Sequence, residues 1–157
     1  MSTFPKRRQV AALQIRLARA LTFSVAAVLL AGCGVDHPDT VPVSGRVTLG
    51  GGDWPKPGRL YFTPVEPAEG FPRRPGRAEF DTDGHFEART WEPGDGLMPG
   101  TYKVGVECWE VPPTMETGGR GPVPERYRRA SSSDWQLVIE PGSAAQVVEF
   151  DVPREGG

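Results

Sequence analysis

The chain is predicted to be all-β, with a seven-stranded antiparallel β-sandwich over residues 41–152. Three observations predict it. Seven short segments alternate apolar and polar residues with a period of two, which suits strands that bury one face. Turn-forming residues separate these segments, and Asp83-Gly84 between two of them is the strongest short hairpin signal in the chain. Helical periodicity is missing beyond residue 40, and 20 glycines and 17 prolines leave few places for a helix longer than one turn.

The elements follow in order. Val43, Gly45, Val47 and Leu49 share one face of the first strand, with Ser44, Arg46 and Thr48 opposite, and Gly50-Gly51-Gly52-Asp53 ends it. Leu60 to Val65 forms the second, stopped by proline-rich sequence from Pro64 to Pro75. Arg77 to Thr82 and His85 to Thr90 form the third and fourth. Thr101 to Trp109 is the fifth and places Tyr102, Val104, Val106 and Cys108 together. Trp135, Leu137 and Ile139 define the sixth, closed by a turn at Pro141-Gly142. Val148, Phe150 and Val152 define the seventh, and residues 153–157 are a tail. Glu110 to Ser133 shows no strand pattern. Within it Pro124 to Ala130 suits one helical turn, since Pro fits the first helical position, and Thr114 to Gly121 is expected to be mobile.

The N-terminus reads differently. Lys6, Arg7, Arg8, Arg16 and Arg19 form a cationic region with no acidic residue, and Leu21 to Leu30 follow as an apolar run of ten residues. That is too short for a bilayer span, which needs about 20 apolar residues. It has the length and flanks of a secretory signal. Leu30-Ala31-Gly32-Cys33 then resembles a bacterial lipobox. The resemblance implies a signal peptide over residues 1–32, cleaved before Cys33, and acyl chains such as palmitate on that cysteine. Two or more chains anchor stably where one does not. Residues 33–40 become the lipidated cysteine and its tether; the seven residues Gly34 to Thr40 reach at most about 25 Å. The protein is therefore expected in the cell envelope, held by membrane lipid through Cys33 on the periplasmic or exterior side.

All 20 acidic residues but only 13 of the 18 basic ones lie beyond residue 32, so that portion has a formal charge of −7. This excludes a basic nucleic-acid footprint. With Cys33 taken by lipid, Cys108 is left alone and no intrachain disulfide is expected. The length suits one domain with one core.

The motif order Val43-Ser44-Gly45-Arg46-Val47, Leu60-Tyr61-Phe62-Thr63-Pro64, Thr82-Asp83-Gly84-His85-Phe86 and Pro99-Gly100-Thr101-Tyr102-Lys103-Val104 resembles the carboxypeptidase regulatory-like, or transthyretin-like, domain. Pro124-Glu125-Arg126-Tyr127 and the strand around Phe150 are similar to the version found in small bacterial lipoproteins. The resemblance implies a prealbumin-like (Ig-like) sandwich without catalysis, acting as a structural, adhesive or binding module. Two places depart from the pattern: Gly50 to Trp54 replaces the usual Asp-Gly turn, and Pro64 to Gly76 is an expanded loop. Transthyretin-like hydrolases end in a Tyr-Arg-Gly-Ser motif, whereas this chain ends Pro153-Arg154-Glu155-Gly156-Gly157.

No catalytic constellation is visible. His37 and His85 are the only histidines and lack the converging partners of a zinc site. Asp53, Asp81, Asp83 and Asp95 fall in turns, where hard ligands for calcium gather, but turn geometry explains an Asp before Gly equally well. Cys108 shares the inward face and reads as a small buried hydrophobe. No metal or cofactor is expected. Trp135 falls on an inward face. Trp54, Trp91 and Trp109 fall in turns or on the outward face and are the candidates for ligand or partner contact. The alternative function is therefore a carbohydrate-binding module facing envelope glycan, with Trp54 and Trp91 close together on one exposed face.

Overall fold

A computed structural model describes residues 37–154. The lipobox Leu30-Ala31-Gly32-Cys33, the cationic region and apolar run before it, residues 34–36 of the tether and the last three residues lie outside the described residues. Seven strands follow in chain order: β1 (Val43–Leu49), β2 (Gly58–Pro67), β3 (Gly76–Phe80), β4 (His85–Glu87), β5 (Gly100–Glu107), β6 (Gln136–Ile139) and β7 (Gln146–Val152). Among the described residues one short helix, α1 (Glu125–Arg128), starts directly after Pro124. The period-two segments thus became strands one for one, and Pro124 opened the helical turn. Trp109 and Trp135 fell just outside the strands they were assigned to.

All seven strands are joined in one sheet, in the order β6-β5-β2-β3-β4-β1-β7. The sheet is mixed, which corrects the expectation of an antiparallel one. β1 and β7 run parallel, in register from Val43–Gln146 to Leu49–Val152. The other pairs are antiparallel. Alternation fixes which face a side chain takes but not the direction of the neighbouring strand. Five strands intervene between β1 and β7, ample chain for the crossover that parallel pairing needs.

β2 also continues through Pro64, where a stop was expected. Its pairing with β3 ends at Phe62, so Pro64 has only β5 beside it, and the register shifts between Pro64 and Glu66. Proline is tolerated at such an edge or bulge.

The sheet curls around its apolar face. β3 meets β4 through one register pair, Phe80–Phe86, with the Arg77–Arg89 bridge beyond it. Phe62 of β2 approaches Phe86 of β4 at 6.3 Å between ring centroids, and Phe86 stacks on Phe150 of β7 at 6.3 Å. The two end strands also meet through side chains: Trp135, just before β6, stacks on Phe150 at 4.8 Å. Val47, Leu60, Phe62, Val104 and Val106 are fully buried between these halves. Gly45 sits in this inward row because nothing larger fits: a Cβ there would lie 1.8 Å from the Val148 carbonyl oxygen.

Tyr102 is the largest side chain in the fully buried set, and its hydroxyl donates to the Met98 carbonyl at 2.8 Å. Burial pushes its phenol up to about 12 from an ordinary 10. An acid with a raised native pKa keeps its proton longer folded than unfolded. Stability is therefore expected to be intact below pH 10 and to fall as the pH rises toward about 12. Tyr102→Phe should remove that part of the alkaline profile, measured by urea unfolding across the range, and should cost about 1 kcal/mol at neutral pH from the lost bond. An unchanged alkaline slope would exclude Tyr102 as its source.

The segment Glu110–Ser133 is not featureless, as its composition suggested. Val111 and Arg120 exchange backbone hydrogen bonds at 2.9 and 2.8 Å, and Thr114 to Thr117 closes the turn between them. α1 and the residues after it then lie over β5, where a Cβ on Gly105 would stand 3.0 Å from the Ala130 nitrogen.

Candidate functional site

The outward faces of β3, β4, β1 and β7 form one open groove of about 560 Å³. Strand register builds it. Arg46 on β1 stands between His85 of β4 and Glu149 of β7. One step along, Ser44 stands between Glu87 and Val147. Glu79 and Arg89 continue the floor, and Pro93-Gly94 form a wall.

The cations of the groove are engaged. Arg46 bonds the Asp53 carboxylate at 2.8 Å and the Asp83 carbonyl at 2.8 Å. Arg89 bonds Glu79 at 2.8 Å, and its Nε is buried without a hydrogen-bond partner among the described residues. Glu87 and Glu149 carry no ion pair among the described residues. The groove can therefore offer carboxylates to a ligand's cation or donor groups while its arginines keep their protein partners. His85 lies exposed in this polar groove beside acidic groups, held through its backbone N–H, which donates to Asp83 Oδ1 at 3.1 Å. Ser44, His85 and Glu87 face the same space, yet no hydrogen bond joins them among the described residues, so the Ser44 hydroxyl has no positioned base.

A second polar cluster lies on β2 and β5. Tyr61 donates to Glu107 at 2.5 Å, and Trp109 Nε1 donates to the other carboxylate oxygen. Burial pushes the Glu107 carboxyl up, but these two bonds and the nearby Arg59 charge outweigh it and hold the group below its usual range. Burial, then the Glu107 bond, push the Tyr61 hydroxyl up.

The tryptophan expectations need correction. Trp54 is 3% exposed, not a surface residue. Its Nε1 donates to the Val47 carbonyl at 2.8 Å and its ring lies 5.0 Å from Phe80. The glycine break at residues 50–52 turns the chain back so that Trp54 covers the end of the core; Leu49 and Gly52 form a bridge inside that turn. Trp54 and Trp91 therefore do not form a glycan platform. Trp109 is half-buried; Arg128 lies over it at 5.0 Å, and its ring abuts Gly119 so closely that a Cβ there would stand 2.7 Å away. It pins the 111–120 hairpin. Trp91 is half-buried with Arg74 over its ring at 5.6 Å. Trp135 is half-buried and packs against the core, between Tyr127 and Phe150.

Cys108 is buried as expected, with burial pushing its thiol up and its sulfur near the Lys56 carbonyl. Three of the four turn aspartates have partners for their carboxylates, and Asp81 accepts the Gly84 amide through its backbone carbonyl. Asp53 takes Arg46, Asp83 takes the His85 amide, and Asp95 accepts from the amides of Thr90, Trp91 and Glu92. His37 lies in the tether, at the start of the described residues.

No family model, curated protein or solved structure matches the chain.

The groove residues Ser44, Arg46, Glu79, Glu87, Arg89 and Glu149 were not singled out from sequence. Each occupies an ordinary outward position, and only the placement of β1 between β4 and β7 gathers them. Chain order gives no sign of that placement.

Proposed function

We propose that the chain is a bacterial lipoprotein whose body, residues 41–152, is a non-catalytic transthyretin-like β-sandwich with a structural or binding role on the cell envelope. The observation that carries this reading is the order of the N-terminal residues. A cationic stretch, an apolar run too short to span, two small residues and then a cysteine occur in sequence, ending Leu30-Ala31-Gly32-Cys33. The curled all-β body supports the sandwich reading, since the halves β6-β5-β2 and β4-β1-β7 close on one core.

A binding role is supported by the charged groove, which offers Glu87 and Glu149 to a ligand. The absence of a hydrogen bond linking Ser44, His85 and Glu87 among the described residues and the burial of Cys108 favour binding over bond-breaking. Substituting Cys33→Ser is expected to abolish metabolic labelling with radioactive palmitate and to release the protein from the membrane fraction. A labelled band that persists in the variant would refute the anchor.

A further inference from the structure

We infer that the end of the body from which the tether leaves is a membrane-contact face, with Trp91 and Phe71 seated at the lipid headgroups and Arg73 and Arg74 on their phosphates. This rests on the anchor reading above and adds an orientation to it.

The tether joins the body at Val41, which exchanges backbone hydrogen bonds with Leu97 at 2.8 and 3.0 Å. Cys33 is eight residues away, at most about 29 Å of extended chain. The tether therefore keeps Val41 and Leu97 within that reach of the bilayer. Three loops make the surface around them: the 140–145 turn, fixed by the Gln146 amide to the Pro42 carbonyl at 2.9 Å, and the 90–96 and 68–75 loops, which hydrogen bonds also tie near the exit point. The 90–96 turn is tied by Thr90, whose hydroxyl donates to the Gly96 carbonyl at 2.8 Å, next to Leu97. The 68–75 loop is tied by the Ala68 amide to the Pro99 carbonyl at 3.1 Å and by the Phe71 amide to Ala68 at 3.0 Å. Arg74 bridges these last two loops by lying over the Trp91 ring, and Arg73 donates to the Val65 carbonyl at 2.7 Å. Val65 itself is 43% exposed.

The chemistry is that of a bilayer interface. Tryptophan rings settle at headgroup depth, and arginine stems cover apolar surface while their heads reach phosphate. Glu66, Glu69, Glu92 and Glu140 share this rim, so net charge does not drive the contact. Asp95 is already occupied by three backbone amides.

The tryptophans make the test selective. β1 runs from the tether end toward Leu49, so Trp54, bonded to Val47, lies at the far end. β5 starts at the tether end with Gly100 and ends at Glu107, so Trp109 is also far. Trp135 stacks on Phe150, well along β7. The lipidated full chain is reconstituted in vesicles of phosphatidylethanolamine and phosphatidylglycerol carrying bromine near the carbonyl end of the acyl chains. Bromine quenches a nearby indole. We expect one quenched emission component, lost in Trp91→Phe and reduced in the Arg73→Glu/Arg74→Glu double variant. Wild-type protein that shows no quenching, or a quenched component that survives Trp91→Phe, would overturn the proposal. The palmitate label separates the two failures: a labelled chain with no quenched component keeps its anchor and loses this face, whereas an unlabelled chain loses both.

Discussion

Replacing Trp54 by alanine is expected to destabilise the protein by about 3–5 kcal/mol, the usual cost of emptying a large buried aromatic site. The side chain is 3% exposed, and its ring is packed 5.0 Å from Phe80. Truncation also strips the Val47 carbonyl of its indole donor at 2.8 Å, and an unsatisfied buried acceptor adds to the penalty. Chemical denaturation would show the midpoint falling with little change in slope. Trp54→Phe separates the parts, because it keeps most of the apolar volume and loses only the hydrogen bond, at about 1–2 kcal/mol. If alanine left the midpoint where it was, the ring would have to be on the surface and the glycan reading would return.

Gly84→Ala is the second large effect, expected at about 2–4 kcal/mol from backbone strain and a displaced hydrogen bond. Gly84 has φ +80, a conformation that side-chain-bearing residues avoid. Its Cβ would also stand 2.0 Å from the Val47 carbonyl oxygen. The turn cannot simply move away, because the Gly84 carbonyl accepts the Val47 amide at 2.9 Å and the Thr82 carbonyl accepts the Trp54 amide at 2.8 Å. Unfolding by urea measures the cost, and a variant as stable as wild type would mean the turn relaxes freely. Both substitutions act on Val47, so the double variant should cost less than the sum of the two.

Asp83-Gly84 shows why so much of the fold could be read in advance. The Asp-Gly signal placed the reversal and the positive φ at Gly84, but the connection spans residues 81–84, with the Gly84 amide donating to the Asp81 carbonyl at 2.9 Å, and so is wider than the two-residue turn expected. The same local logic located all seven strands, the buried face of β5 with Tyr102, and the buried Cys108 just beyond it. Long-range placement was not local and so was not legible. The parallel β1–β7 pair, the burial of Trp54 and the gathering of Arg46, His85, Glu87 and Glu149 each depend on which strand lies beside which. Trp54 follows a run of three glycines, which reads as an exposed turn unless the fold-back onto Val47 is known. The hairpin around Thr114 was hidden for another reason: one bridge, Val111–Arg120, defines it, too short for any alternation to register.

The pairing of β1 with β7 has a consequence for biogenesis. The earliest strand to leave the ribosome finds its parallel neighbour only when the last one arrives, since Val43 is matched to Gln146 and Leu49 to Val152. Contacts so distant along the chain form late, because closing a long loop is entropically slow. Until the C-terminal strand emerges, one edge of β1 stays open. Such a polypeptide stays open along that edge while it is being synthesised and closes into its final shape only once residues 146–152 are free to pair.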